Sequence, residues 1–167
     1  TEAELFGTSI IDALNEKNVA DRIAKLQKIN APGENAKAIV AMLLSAEATA
    51  NETTIFEMNT LSDVTEKLSI DAHYRDLLNF KILLVSSEIM DKDERVKAFE
   101  ELSKPGNPFR LLAEEQIALI ELELGNTDNA IQKISQILLD AELTAGLRNR
   151  ATQMLIALGK DPELINE

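Results

Sequence analysis

Residues able to do chemistry are few in this chain and far apart. His73 is the single histidine, set beside Asp71 and Tyr74 where apolar spacing starts a helix. A zinc site needs several nitrogen or sulfur donors, and one histidine with no cysteine does not supply them. His73 therefore reads as a capping or surface residue. Asp91-Lys92-Asp93-Glu94 has the donor density of a calcium loop, but an EF-hand also requires glycine at its sixth position, where this chain has Val96. The run reads as a turn and helix N-cap. Glu114, Glu115, Glu121 and Glu123 fall on more than one helical face. Acid–base work would need one carboxylate held in an apolar pocket, which nothing here marks, so they read as solvated. Ser86-Ser87 has no base near it in sequence, and neither a glycine-rich phosphate loop nor a G-x-S-x-G elbow occurs. The expectation is a protein that is not an enzyme, with no metal and no cofactor.

Composition narrows the partners. The net charge of −12 opposes nucleic acid and anionic lipid alike, since both need a basic face. It suits partners that are basic or apolar proteins or peptides. No cysteine means no disulfide framework. No run approaches the ~18 apolar residues of a membrane span. The first residue is Thr1 rather than methionine, so the chain reads as a fragment or processed form, with an upstream anchor or targeting segment left open.

The elements that must position any site are helical. Apolar residues recur at three- and four-residue spacing in about nine segments, with no convincing strand. These run over about 3–14, 19–29, 35–48, 51–68 (capped by Asn51), 73–89, 91–102, 109–124, 128–140 and 145–158, and Asp161-Pro162 starts a short terminal cap. Ala31-Pro32-Gly33 and Lys104-Pro105-Gly106-Asn107-Pro108 break the chain. Gly125 ends one helix and Asn126 to Asp128 open the next, leaving room only for a tight antiparallel hairpin.

The segments fall into pairs, about 1–30, 34–69, 73–104 and 108–141, with a capping helix in 144–167, all in one domain. A cation recurs early in four alternate helices: Lys37, Arg75, Arg110 and Arg148, spaced by 38, 35 and 38 residues. A cation in a first turn opposes the helix dipole, so its recurrence implies a structural role, such as reaching carbonyls at a neighbouring helix end.

Gly125-x4-Ala130-Ile131, with Ile117-Ala118 before it and Ile134 and Ile137 after it, resembles the tetratricopeptide repeat. The motif's usual Trp and Tyr in the first helix, and its terminal Pro, are absent. Tyr74-Arg75-Asp76-Leu77, Pro108-Phe109-Arg110 and Gly146-Leu147-Arg148-Asn149-Arg150-Ala151 widen the likeness. Together they are similar to the divergent tetratricopeptide-like domain of bacterial inner-membrane proteins, the family that includes the ancillary SecYEG translocon subunit. That resemblance implies an all-α, right-handed stack of antiparallel helix pairs on the periplasmic face of the inner membrane. It also implies a role as a non-enzymatic protein–protein interaction domain, associated with the Sec translocon or with periplasmic chaperones.

Two alternatives remain at this point: a cytoplasmic scaffold of the same repeat binding a peptide, and an uncharacterised helical enzyme or ligand-binding protein. If the first helix of each pair lines a concave face, the contacts are Met42, Ala46, Lys81, Ile82, Gln116 and Glu123, of which Met42 and Ile82 also suit the core. A clamp for acidic peptide tails would use Lys37, Arg75, Arg110 and Arg148, against the acidic balance of the chain.

Overall fold

A computed structural model describes residues 1–49 and 54–162, and among these the chain is all-helical with no strand. The fourth helix's expected cap, Asn51, and most of the expected terminal cap after Asp161 lie outside the described residues. The helices are α1 (Glu2–Leu14), α2 (Val19–Gln27), α3 (Glu34–Thr49), α4 (Thr54–Lys67), α5 (Ala72–Val85), α6 (Lys92–Leu102), α7 (Arg110–Glu123), α8 (Thr127–Leu138) and α9 (Ala145–Ala157). They form two compact units, Thr1–Glu88 and Ile89–Glu167, divided within the stretch 73–104 that apolar spacing reads as one pair.

Local chemistry sets the ends. Thr1 closes a capping box on α1 with Glu4: the Thr1 hydroxyl accepts from the Glu4 amide, and the Glu4 carboxylate accepts from the Thr1 backbone nitrogen. Asn18 accepts from the Ala20 amide at 2.8 Å and starts α2. Asp91 accepts from the amides of Asp93 and Glu94, which makes the acidic run a helix cap. α5 stops at Val85, short of the expected Ile89, and continues as one 3₁₀ turn over Ser86–Glu88. The Ser86 hydroxyl there donates to the Leu83 carbonyl at 3.0 Å, satisfying an acceptor at the helix end.

The turn between α7 and α8 is where glycine is required. Gly125 sits at φ +81°, and beside it the Asn126 amide bonds the Glu121 carbonyl at 2.8 Å while the Gly125 amide bonds Leu122 at 3.0 Å. This is the Schellman closure. The same pair of bonds recurs at Gly159, where Lys160 reaches Leu155 at 2.9 Å and Gly159 reaches Ile156 at 3.0 Å.

In the first unit each helix packs on the next along the chain, and α5 also touches α3. Ala38, Leu61, Ile70 and Leu78 are buried at its centre, with Met42, Val64, Leu68, Tyr74 and Ile82 packed around them. α1 is the least covered helix: only Ala13 is buried, while Leu5 and Ile11 are exposed. In the second unit α6, α7, α8 and α9 pack in chain order. Its core joins Leu111, Ala118, Ile134, Ile137, Leu138, Leu147, Ala151 and Leu155. Ala113, Ala118, Ala130 and Ala151 are completely buried. Such small side chains let neighbouring helix backbones approach closely.

Two glycine substitutions separate backbone strain from packing, since a Cβ at either position would meet no atom within 4 Å. Gly125→Ala is expected to destabilise the protein by about 1 kcal/mol, because alanine resists positive φ. Gly7→Ala, inside α1, is expected to stabilise it by roughly 0.5–1 kcal/mol. Urea unfolding of the two variants checks both signs.

Candidate interaction site

The six residues read as concave-face contacts occupy three helices. Met42 and Ala46 lie one turn apart on α3, Lys81 and Ile82 on α5, Gln116 and Glu123 on α7. Met42 and Ile82 come together, half-buried against the first unit's central cluster, so both serve the core. Ala46 is exposed and Lys81 is half-buried. In the second unit Gln116 is half-buried, and Glu123 is exposed and pairs with Lys92 at 3.4 Å.

The four repeating cations have different fates. Arg110 is a hub: both its terminal nitrogens donate to Asp140, at 2.8 and 2.9 Å, and one also donates to Glu142 at 2.8 Å. Glu114 adds a third carboxylate at 3.7 Å. Arg110 thus ties the start of α7 to the turn after α8, through carboxylates rather than carbonyls. Lys37 pairs only locally, with Glu34 at 2.9 Å. Arg75 and Arg148 are exposed and make no ion pair among the described residues. The carbonyl-reaching role expected of the set is performed elsewhere, by Arg22. Its Nε and Nη2 donate to the two oxygens of Glu47, and its Nη1 reaches the carbonyls of Glu16 and Lys17 beyond the end of α1.

Two further anchors join residues that lie far apart in the chain. Asn35, at the start of α3, donates to the Asp71 carboxylate at 2.7 Å and accepts the Asp71 amide at 3.0 Å. Arg150 on α9 grips Glu115 on α7 through Nε and Nη2 at 2.6 and 2.7 Å. Glu115 is only 5% exposed, so this carboxylate is buried and matched rather than solvated. The separations, 36 and 35 residues, are the period already visible in the cations, and that period was the available signal.

His73 lies in the first turn of α5, its ring stacked at a tilt on Tyr74, centroids 4.3 Å apart. No group of three or more acidic or histidine residues among the described ones could hold a metal ion. Arg95 on α6 is unusual, being 3% exposed with Nε and Nη1 lacking a hydrogen-bond partner among the described residues.

Electrostatics follow the pairing. The Asp140 carboxyl is held below the usual range, first by the Arg110 guanidinium and then by the Glu142 amide. Glu114 moves the other way: burial raises its carboxyl and outweighs the nearby cations.

Arg150→Met is expected to cost about 2 kcal/mol, below the roughly 3–5 kcal/mol of a fully buried pair because Arg150 is half exposed. Arg148→Ala is expected to change stability by no more than about 0.5 kcal/mol. Thermal and urea melts of the two distinguish the anchoring arginine from its exposed neighbour. Asp140→Asn is expected to cost about 1 kcal/mol at neutral pH. A depressed carboxyl contributes its stability in full above its unfolded-state value and loses it as pH falls through the folded-state value. The gap to the unmutated protein should therefore close below about pH 4, as read from urea titrations stepped into acid.

Comparison with protein-family models, with curated proteins and with solved structures finds no match to this chain.

Proposed function

We infer that the chain is a tetratricopeptide-like array of antiparallel helix pairs that binds other proteins and catalyses nothing. The observation that carries this reading is the mid-thirties period. It appears in the anchors Asn35–Asp71 and Glu115–Arg150, at 36 and 35 residues, and in the repeated glycine closure at Gly125 and Gly159. Residues one repeat apart become neighbours when helix pairs stack on one another, because each pair can bury its apolar faces only against the next. Such pairs devote their interior to aliphatic packing and leave side chains on an outer surface for a partner.

The resemblance to the inner-membrane family supports a more specific proposal. The domain sits on the periplasmic face of a bacterial inner membrane, tethered by a segment outside this chain, and meets the Sec translocon or periplasmic chaperones. No helix among the described residues is long and apolar enough to cross a membrane itself. The acidic surface is compatible with protein partners of opposite charge.

In-cell photo-crosslinking tests the proposal. A crosslinking side chain placed at Ala46 or Glu123, both exposed, in the protein expressed by its own cell is expected to capture translocon subunits or periplasmic chaperones. Capture of cytoplasmic proteins alone would favour the cytoplasmic scaffold, and turnover of a small molecule by the purified chain would overturn the non-catalytic reading.

A further inference from the structure

The second unit holds a cavity of about 200 Å³ between the start of α7, the turn after α8 and the start of α9. Its lining joins the apolar Pro108, Leu111, Leu112 and Leu147 with the polar Asn107, Arg110, Glu142 and Thr144. That volume is below the range of small-molecule sites and suits one anchoring side chain. Within the lining Arg110 and Glu142 balance each other, and the acidic surplus comes from two further carboxylates around the same guanidinium. Asp140, Glu142 and Glu114 surround the single guanidinium of Arg110, and Lys133, which also acts on Glu114, does not cancel the surplus. Glu142 is the available member, 75% exposed and bound to Arg110 through only one oxygen.

We propose that this groove receives a lysine or arginine side chain from a protein partner, its methylene stem lying on the half-buried Pro108 and Leu112 and its charged head meeting Glu142. Long basic side chains combine an apolar stem with a cationic tip, and an apolar wall under a carboxylate rim is the complementary surface. An anionic group would meet net repulsion, both at the rim and from a chain of net charge −12. A divalent ion is disfavoured because Arg110 already occupies both oxygens of Asp140. This inference rests on the interaction-module reading and names the chemistry of its partner.

The test uses the full chain, isotope-labelled for NMR and titrated with short peptides alternating leucine with lysine, glutamate or glutamine. The lysine peptide is expected to shift amides near Leu112, Glu142 and Leu147. Glu142→Gln should weaken it about 2- to 5-fold, the range of an exposed ion pair. Asp128→Asn, an acidic change elsewhere on the unit, should leave binding unchanged. Equal binding of the glutamine peptide, equal weakening by both variants, or no binding of the lysine peptide would each overturn the assignment. Crosslinks from Ala46 and Glu123 that persist under those outcomes would leave the interaction-module reading standing, so the two failures are distinguishable.

Discussion

None of these helices can stand alone. The shortest has 9 residues and the longest 16, and isolated helices below about 12–15 residues are marginal in water because nucleation is unfavourable. Each therefore depends on burying a face against the helix next to it in the chain. That constraint explains why the turns are tight, why fully buried alanines concentrate in α7, α8 and α9, and why α8 is capped at both sides by short glycine-bearing or acidic turns. At the helix ends, charged side chains tie one element to another.

Three arginines do that tying by the same geometry. Arg22, Arg110 and Arg150 each place two nitrogens on one carboxylate, a planar match that lysine cannot reproduce. Their partners differ in exposure, and so does their importance. Glu115 is buried and would be left uncompensated without Arg150, whereas Glu142 is 75% exposed and remains solvated without its arginine. Position along the chain alone does not assign these roles: Arg148 and Arg150 flank Asn149, yet it is Arg150 that bonds a carboxylate on α7.

Much of the helical framework is legible in the residues. Gly125, Asp91 and the Pro–Gly breaks act through local backbone chemistry, so their effects can be read without knowing the fold. Where a boundary departs from the apolar pattern, as at Val85, a side-chain hydroxyl competes for a backbone carbonyl, an effect that hydrophobic spacing does not register. The charged anchors were only half visible. Recurrence of cations could be seen, but the identity of the engaged one depends on which carboxylate the neighbouring hairpin brings near. Glu114 and Glu115 are adjacent and chemically alike, yet one lies beside Arg110 and the other beneath Arg150. Which of them Arg150 reaches depends on how the helices pack, which spacing along the chain does not give.

Arg95 has a consequence for how the second unit responds to stress. A guanidinium cannot shed its charge near neutral pH, and one sealed from water with two of its three nitrogens unmatched raises the energy of the segment holding it. Fraying of α6 would restore hydration to that group, so the first helix of the unit is the place where thermal loosening should begin. The hairpin of α7 and α8, locked by its glycine closure and by Arg110, would then form the residual kernel.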